Sequence, residues 1–600
     1  MDWKTKPLAL KVLPWTLLLL FAACATKEVI EPKMSYGPDE AKWVNKALAK
    51  MSLEEKIGQM IACRYSGYFV NSESEYLEEL KTLVLEQKIG GFVLFGGDVF
   101  ETAHLNNTLQ EIAKTPLLMA SDLERGLGNQ IDGAVLFPPA MSLGAADSKE
   151  LAYNMGKITA REARAIGIHM TYAPVVDVNI NPDNPIINVR SFGEDPEQVA
   201  RLAVAFIKGC QENGLITTAK HFPGHGDTAE DSHLVLPTIE GGRNRLDKVE
   251  LFPYRKAVQS GVQAIMVSHL RLPALDPTPN MPASLSSPII TELLREDMGF
   301  KGLLVTDAMD MQAVTKLYSS EEAALMAVKA GIDMVLLPPK PREVIDKLVR
   351  AVKDGDISES RIDVSVKRIL ETKARLGLHK RRLVDLEVLD EKIATSAHRR
   401  QAEIALENSM TLVKNAGDLI PLPLEGKKLA VLSLSSDRGG YYAGRTFVEE
   451  IMARVPGTFT FYAEATTGIE YLESVLEDTA DADICVVGLF SRLRGYKGSI
   501  GLEEKHVDLI RQIILSDKKV VVISFSSPYF LGQFPGVDAY LCAYRYSSEA
   551  QVAAVQALFG EIAIQGRLPV SIPHLYPLGH GIKIQKVRDK DVEDGEARYR

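Results

Sequence analysis

The sequence has few of the features that mark several large classes of protein. Only five of its 600 residues are cysteines, and none of them forms a C-x-x-C pair or has the spacing of a metal site. Cys63, Cys210, Cys485 and Cys542 lie far apart and mostly beside apolar residues, so we predict buried free thiols. The chain also lacks a basic excess, since its formal net charge is −10 at pH 7, and this argues against a nucleic-acid ligand.

Further absences narrow the possible functions. No GxGxxG at a strand–helix turn and no GxxxxGK[ST] occurs, so we do not expect a nucleotide site. The histidines lack the spacing of metal ligands, and we predict neither a metal nor another cofactor. After residue 24, no apolar run approaches the roughly 20 residues that a membrane-spanning helix needs.

The amino terminus has the pattern of a secretory signal. Three lysines within the first eleven residues precede an apolar run at residues 12–23, which is too short for a membrane span. Cys24 follows Leu-Phe-Ala-Ala, which resembles a bacterial lipobox, so we predict a lipoprotein signal over residues 1–24 and lipidation of Cys24. No aspartate follows Cys24, which favours an outer-membrane anchor facing the periplasm, with residues 25–38 as a flexible tether. A plain cleaved signal and an uncleaved anchor are the alternatives.

The body of the chain is of ordinary globular composition, with 46% hydrophobic and 25% charged residues, and its length indicates two domains. From residue 39 to residue 385, short apolar runs alternate with amphipathic stretches of helical period. We count eight candidate strands, at residues 59–63, 91–95, 117–121, 171–176, 215–219, 264–268, 303–306 and 333–337. This order predicts an α/β fold, a (β/α)8 TIM-type barrel.

A second, smaller domain follows the barrel. Residues 386–405 are charged and helix-like, and we interpret them as a linker that passes around the barrel. Five apolar runs then predict a doubly wound α/β sandwich domain over residues 406–575, with strands at 429–434, 459–462, 484–489, 520–525 and 540–543. Residues 576–600 are of mixed charge and predict a solvated, partly disordered tail.

Polar residues follow five of the predicted barrel strands, where each apolar run ends. They are Asp122, Asp177, the pair Lys220 and His221, His269, and Asp307. One such residue alone is often a helix N-cap or a turn residue. Because the carboxyl ends of barrel strands meet at one rim, we expect the five groups to converge on a single site.

The densest polar segment is Lys-His-Phe-Pro-Gly-His-Gly-Asp-Thr-Ala-Glu-Asp-Ser-His at residues 220–233. It resembles a motif of glycoside hydrolase family 3, and in particular of the bacterial two-domain β-N-acetylhexosaminidases. Other segments that carry the resemblance are at residues 51–60, 188–196, 302–309, 411–422 and 566–573. The resemblance covers essentially the whole chain after the signal, and it implies the two-domain fold predicted above.

The resemblance also implies roles for individual residues. Asp307 matches the nucleophile that forms a covalent glycosyl-enzyme intermediate, and His233 paired with Asp231 matches the acid/base, a role that carboxylates fill in most other glycosidases. The residues that match positions binding the sugar's hydroxyls are Asp122, Arg190, Lys220 and His221. For His225 we expect a role in holding the loop. A structural role is equally open for Asp177 and His269.

One segment departs from the family pattern. The family usually reads Asp-x-Glu-Gly-Gly-Arg-Val-x-Arg, whereas residues 122–130 read Asp-Leu-Glu-Arg-Gly-Leu-Gly-Asn-Gln. Gln130 therefore replaces an arginine that reaches the substrate, which puts recognition on that side of the sugar in doubt. Arg125 is a candidate to compensate for the lost charge.

These expectations favour a retaining exo-β-N-acetylglucosaminidase acting on peptidoglycan fragments or chitooligosaccharides. A phosphorylase that uses the same residues is the first alternative, because a neutral histidine does not repel phosphate as a carboxylate does. A β-glucosidase or xylosidase of the same family is the second, although those enzymes typically take their acid/base from the second domain. A sugar-binding lipoprotein without activity is the alternative from another class. The sequence leaves the oligomeric state open.

Overall fold

The structure is a computed structural model, and it describes residues 34–423, 426–492 and 501–587. The signal segment, Cys24, most of the tether and residues 588–600 therefore lie outside the described residues. None of the helices in these ranges combines the length and the apolar character that a membrane span requires.

The first domain is a parallel barrel that closes almost completely. Its strands are β1 (Ile61–Gly67), β2 (Gly91–Asp98), β3 (Leu118–Ser121), the short β4 (Ile131–Asp132), β5 (Met170–Thr171), β6 (Ile216–Phe222), β7 (Ala264–Val267), β8 (Leu303–Thr306) and β9 (Val335–Leu336). Around the barrel the order is β8-β7-β6-β5-β3-β2-β1-β9, and β4 pairs beside β2. A parallel bridge between Val305 of β8 and Met334, the residue before β9, joins the two ends of this order and closes the ring. The predicted eight-strand barrel is thus confirmed.

Helices cover the outside of this barrel. They are α1 (Pro38–Lys50), α2 (Leu53–Gln59), α3 (Glu75–Leu85), α4 (Val99–Ile112), α5 (Ala140–Ala146), α6 (Lys149–Ala165), α7 (Pro196–Glu212), α8 (Arg243–Lys248), α9 (Leu251–Gln259), α10 (Gln312–Thr315), α11 (Ser320–Ala330), α12 (Pro341–Lys353) and α13 (Glu359–Arg375), with a π-helical segment Pro288–Asp297. Apolar residues at helical spacing face the sheet; on α7, for example, Val199, Leu202, Phe206 and Cys210 are buried in the core.

The strand predicted at residues 171–176 is shorter than expected. Regular pairing covers Met170–Thr171 only, and Val175 makes an isolated bridge with Lys220. Pro174 lies between these two places and has no N–H to donate to a neighbouring strand. Backbone hydrogen bonds to β6 nevertheless continue beyond Thr171, since Thr218 donates to the carbonyl of Ala173 (3.0 Å) and Val176 donates to the carbonyl of Lys220 (2.8 Å).

The predicted linker is helical and packs on the barrel. It contains α14 (Leu389–Lys392) and most of α15 (Ser396–Ser409). The buried Glu162 on α6 accepts hydrogen bonds from the backbone N–H of Ala394 (2.8 Å) and from Nδ1 of His398 (2.9 Å). These contacts fix the segment that leads to the second domain.

The second domain is a six-stranded mixed sheet. Its strands are β10 (Thr411–Asn415), β11 (Leu429–Ser435), β12 (Phe459–Ala463), β13 (Ile484–Phe490), β14 (Lys519–Ser524) and β15 (Ala539–Cys542), in the order β10-β15-β14-β13-β11-β12. The helices α16 (Arg445–Arg454), α17 (Ile469–Asp478), α18 (Glu504–Ile514) and α19 (Ser548–Leu558) bury separate apolar clusters on its two faces. The doubly wound fold is confirmed, with one correction: the sequence did not predict β10, which pairs antiparallel to β15 at the edge.

The carboxyl-terminal boundary at residue 575 is also wrong. Ile582 donates its N–H to Leu412 (2.8 Å), and Ile584 exchanges hydrogen bonds with Ile564. Residues 576–587 therefore pair with the second domain instead of forming a solvated tail. The four predicted free cysteines are indeed buried thiols.

Candidate active site

A cavity of about 680 Å³ opens at the carboxyl ends of the barrel strands. Residues that line it include Asp122, Arg190, Lys220, His221, His233 and Asp307. The structure thus brings the sequence-predicted side chains together in one pocket, with Asp231 behind His233. Side chains of the second domain complete the wall, among them Ser491, Phe525, Tyr544, Arg545 and Tyr546.

Asp307 stands immediately after β8, on the rigid end of a buried strand. Its backbone N–H bonds to the carbonyl of Val267, and its Oδ1 accepts the N–H of Ala308 at 2.8 Å. Burial opposes ionisation of this carboxyl, but the neighbouring His221 and His269 outweigh it, and the pKa of Asp307 is lowered below its ordinary value. The side chain is therefore a carboxylate at neutral pH, which is the form a nucleophile needs.

His269 supports Asp307 from the next strand end. Its Nε2 lies 3.0 Å from the carbonyl oxygen of Ala308, which accepts only, so Nε2 carries the proton. Nδ1 then accepts from the hydroxyl of Ser284 at 2.7 Å. Burial lowers the pKa of His269, against the opposing effect of the Asp307 carboxylate. The ring is fully buried, and its bonds fix the backbone beside Asp307, which is a supporting role.

Asp231 and His233 form a hydrogen-bonded pair on the loop after β6. One oxygen of the buried Asp231, Oδ1, accepts both the backbone N–H of His233 and its Nδ1, each at 2.8 Å. The His233 side chain is 28% exposed and lines the pocket, whereas the Asp231 side chain is 1% exposed. An acceptor at Nδ1 selects the tautomer in which Nδ1 carries a hydrogen, and Nε2 is then the nitrogen that exchanges a proton.

The four residues expected to hold a sugar belong to one charged network. Lys220 donates to Asp122 (2.6 Å) and lies 2.7 Å from Glu124. Arg190 donates to both oxygens of Glu124, at 2.7 and 3.0 Å. Burial alone would raise the pKa of Glu124, but the charges of Arg190 and Lys220 hold it well below its usual range. Glu124 was absent from the predicted site residues, although it lies two positions after Asp122.

His221 is held from the opposite side by Asp177. Asp177 accepts the backbone N–H of His221 (3.1 Å), its Nδ1 (2.7 Å) and the backbone N–H of His225 (2.8 Å). With Nδ1 donating, Nε2 of His221 accepts from Arg190 at 3.3 Å. Asp177 is almost fully buried and is not among the residues that line the pocket, so it positions the site without facing its ligand.

His225 fixes the loop that carries the Asp231–His233 pair. Its ring nitrogens contact the hydroxyls of Thr228 and Ser232, each at 2.9 Å, and the ring is 1% exposed. Burial and the neighbouring His221 lower the pKa of His225 to about 4. The next residue, Gly226, has no space for a side chain, because a Cβ there would lie 1.8 Å from the carbonyl oxygen of Val178.

The segment that departs from the family pattern contributes two side chains to the pocket. Gln130 lines the pocket, and its Oε1 accepts the N–H of Gly96 at 3.2 Å. Arg125 also lines the pocket and donates through Nε to Asn129 (2.7 Å), whose amide bonds to the carbonyl of Asp122. Both side chains face the same cavity, as a compensating role for Arg125 requires.

The second domain reaches the pocket with the residues that follow its strands. Arg545 donates to the carbonyl oxygens of Leu136 and Phe137 in the barrel domain, and Asn179 donates to the hydroxyl of Tyr529 at 3.0 Å. The cavity is thus closed by both domains. Sequence reasoning did not identify these contributors, and the described residues contain no group of three His, Cys, Asp or Glu suited to a metal ion.

The chain is similar to known carbohydrate-active proteins over nearly its whole length. The model described as "Glycosyl hydrolase family 3 N terminal domain" matches residues 52–372, and that described as "Glycosyl hydrolase family 3 C-terminal domain" matches residues 410–598. The protein named beta-hexosaminidase A of Pseudoalteromonas piscicida is 29% identical over 552 residues, covering 83% of this chain and 91% of that protein.

Two solved structures are similar as well. A family 3 β-N-acetylglucosaminidase from a Paenibacillus species has a TM-score of 0.76 at 33% identity, covering 87% of this chain and 99% of that one. The β-glucoside phosphorylase BglX bound to 2FGlc has a TM-score of 0.82 at 28% identity. That match covers 91% of this chain and 98% of the other.

Proposed function

Because the chain belongs to glycosyl hydrolase family 3, we propose that it is a retaining exo-β-N-acetylglucosaminidase that cleaves terminal β-linked N-acetylglucosamine. The observation that carries this proposal is the pocket in which the carboxylate of Asp307 and the Asp231–His233 pair occur together. The names of the relatives support N-acetylglucosamine as the sugar that is released, since they include a β-hexosaminidase and a β-N-acetylglucosaminidase.

In the first step Asp307 attacks the anomeric carbon. A bond forms between its carboxylate oxygen and that carbon while the glycosidic C–O bond breaks, and His233 gives its Nε2 proton to the departing oxygen. In the second step His233, now neutral, takes a proton from water. The water oxygen displaces the carboxylate of Asp307, which restores the enzyme and releases the sugar with its original configuration.

The charged network fits a sugar at the pocket floor. Lys220 and Arg190 are charged at neutral pH because Asp122 and Glu124 raise their pKa values against the opposing effect of burial. Their N–H groups and the carboxylate of Asp122 offer the donors and acceptors that vicinal hydroxyls need. Since the network is already assembled, little side-chain ordering accompanies binding.

Phosphorolysis is the second candidate. It is favoured by the use of His233 in place of a carboxylate and by the likeness to the structure of the β-glucoside phosphorylase BglX. A neutral imidazole allows an incoming phosphate dianion to approach the glycosyl-enzyme without like-charge repulsion. Glucosides are a possible alternative substrate, because a relative from Cellulomonas fimi is named β-N-acetylglucosaminidase/β-glucosidase.

One kinetic comparison tests the proposal. Aryl N-acetyl-β-glucosaminide and aryl β-glucoside are supplied with and without phosphate, and released phenol, free sugar and sugar 1-phosphate are measured. We expect N-acetylglucosamine as the product and loss of turnover in Asp307→Asn. Sugar 1-phosphate would instead support the phosphorylase, and preference for the glucoside would support the glucosidase. Sugar binding without turnover of either substrate would identify an inactive carbohydrate-binding protein.

The proposed location is the periplasmic face of the outer membrane, through a lipid on Cys24. The lysines, the short apolar run and Leu-Phe-Ala-Ala before Cys24 support it. In that place peptidoglycan fragments are the nearest substrates, with chitooligosaccharides as the other class. Labelled fatty acid should enter the wild-type protein and not Cys24→Ala, and the variant should leave the membrane fraction. Unchanged membrane association of Cys24→Ala would indicate an uncleaved anchor.

A further inference from the structure

Two arginines in the pocket have no carboxylate partner. Among the described residues Arg125 makes one side-chain hydrogen bond, from Nε to Asn129, and Arg545 donates through Nη1 to two carbonyl oxygens. Neither guanidinium lies within ion-pair distance of an Asp or Glu in the described part of the chain. Arg545 is nevertheless 4% exposed, so its charge is held largely away from solvent.

The other cationic side chains of the pocket are paired. Arg64 lies 3.0 Å from Asp310, Lys220 contacts Asp122 and Glu124, and Arg190 contacts Glu124. Arg492, at the rim, lies 3.8 Å from Asp437 and stacks on Tyr546. Arg125 and Arg545 are therefore the cations of the pocket that form no ion pair with the described residues, and only the more distant carboxylates of Glu124 and Glu549 favour their charged forms.

The two arginines meet at one segment of the barrel domain. The carbonyl of Arg125 accepts the N–H of Phe137 at 2.8 Å, and the carbonyl of Phe137 accepts from Arg545. One guanidinium comes from the loop after β3 and the other from the loop after β15. Both arginines line the cavity that Asp307 and Lys220 also line from strand ends of the barrel.

Their mutual repulsion is unfavourable in the unliganded protein. Burial and the charge of Arg125 lower the pKa of Arg545 to about 9, against the smaller effect of Glu549. Burial lowers the pKa of Arg125 although Glu124 opposes this effect, and Arg190 lowers it further. An anion between two such groups removes the repulsion and accepts hydrogen bonds in the forked geometry that guanidinium offers. Two unpaired arginines on one wall are suited to an oxygen anion, and a sugar hydroxyl would leave their charges uncompensated.

We propose that Arg125 and Arg545 form an oxyanion subsite on the aglycone side of the pocket, which takes a carboxylate carried by the leaving group or an inorganic phosphate. This inference rests on the proposed glycosidase function, because it assigns the group beyond the scissile bond. Gln130 also lines the pocket but is neutral, so the oxyanion would be held by the two arginines.

Two matched substrates test the proposal. The N-acetyl-β-glucosaminides of 4-hydroxybenzoate and of 4-hydroxybenzamide have aglycones of similar size that differ in charge. We expect wild-type kcat/KM to be about ten- to hundredfold higher for the carboxylate, as for a charge-assisted hydrogen bond. Arg125→Gln and Arg545→Gln should each remove most of that preference while the benzamide substrate is still cleaved. Arg511→Gln, on the exposed face of α18 and paired with Glu504 and Asp508, is the matched control and should keep the preference.

The second arm supplies inorganic phosphate with the benzamide substrate. A saturable effect of phosphate that disappears in Arg545→Gln, with no preference for the carboxylate, would identify phosphate as the source of the oxyanion. If neither effect occurs in a wild-type enzyme that cleaves the benzamide substrate, the oxyanion subsite is wrong and the glycosidase assignment stands. Equal losses on both substrates in the two variants would also overturn it, because the arginines would then bind the sugar.

Because Arg545 joins the two domains, Arg545→Gln requires a check of folding. Thermal unfolding is compared with that of Arg545→Lys, which keeps the charge. Arg125→Gln supplies an independent test, since its side chain bonds only within its own loop. No cleavage of either substrate by the wild type would contradict the proposed function itself.

Discussion

The role of the Asp231–His233 pair gives a prediction that depends on the leaving group. If His233 supplies the proton, its loss must slow substrates whose leaving group departs as a poor anion. Activated aryl substrates, whose phenolate departs without a proton, should be affected much less. His233→Ala removes the acid, and Asp231→Asn keeps the acid but removes the negative acceptor at Nδ1.

The contacts set the expected magnitudes. General acid catalysis contributes about 10²- to 10⁴-fold, so His233→Ala should lower kcat/KM by that range on an alkyl or sugar leaving group. Asp231 Oδ1 holds both the ring and the backbone of His233 at 2.8 Å. A hydrogen bond to a charged group is worth about 1.5–3 kcal/mol, so Asp231→Asn should cost about 10- to 150-fold on the same substrate. The histidine variant should therefore be the slower of the two.

The assay measures kcat/KM for a series of aryl and alkyl N-acetylglucosaminides with leaving groups of increasing pKa. For the wild type we expect a shallow dependence on leaving-group pKa, and for both variants a steep one. His104→Ala, an exposed histidine on α4 that does not line the pocket, is the control and should follow the wild type. Equal losses across the series for His233→Ala would refute its assignment as proton donor and indicate a binding role.

Three further predictions concern the structure around the site. The pKa of His225 in the folded protein is about 4, so on acidification the unfolded state takes up a proton before the folded state does, and stability is lost as pH falls from about 6.5 to about 4. Urea titrations should show that His225→Gln loses about 3 kcal/mol less folding stability than the wild type over this pH range. Burial lowers the pKa of Lys373 to about 7, and Lys373→Met also loses the hydrogen bond to Gln59 at every pH; thermal melts should show the stability of the variant relative to the wild type falling by up to about 4 kcal/mol between pH 7 and pH 10. Gly226→Ala places a Cβ against the carbonyl of Val178 and should unfold earlier and lose activity, whereas Gly242→Ala, with no atom within 4 Å, should do neither. If the stability of His225→Gln or Lys373→Met differed from that of the wild type by the same amount at every pH, the assigned pKa shift would be contradicted. Equal stability of Gly226→Ala and Gly242→Ala would contradict the close contact at Gly226.

Much of the fold follows from local sequence. The barrel strands are apolar runs that end at polar residues, as at Leu303–Thr306 before Asp307, and periodicity locates them to within a few residues. By contrast β10 is a five-residue strand that begins two residues after α15, and its pairing with β15 joins residues more than 120 positions apart. No local pattern distinguishes such an edge strand from a loop, because its partner decides its conformation.

The site divides in the same way. Asp122 and Asp307 directly follow β3 and β8, whereas Lys220 and His221 are among the last residues of β6 itself. Their convergence was predicted because the strand ends of a barrel meet at one rim. The role of Glu124 could be recognised only from the structure, because it depends on contacts with Arg190 and Lys220, which lie 66 and 96 residues further along the chain. Arg545 bonds to carbonyl groups more than 400 residues earlier, and backbone acceptors leave no trace in a sequence pattern.

Covalent trapping of Asp307 tests the central claim most directly. The enzyme is incubated with a 5-fluoro-N-acetylglucosaminyl fluoride, which reacts fast enough to label but hydrolyses slowly, and the digested protein is analysed by mass spectrometry. The account predicts one adduct of the fluorosugar on the peptide that contains Asp307, and no adduct in Asp307→Ala. Turnover of the normal substrate without an adduct, or an adduct on another carboxylate, would contradict the assignment of Asp307 as the nucleophile.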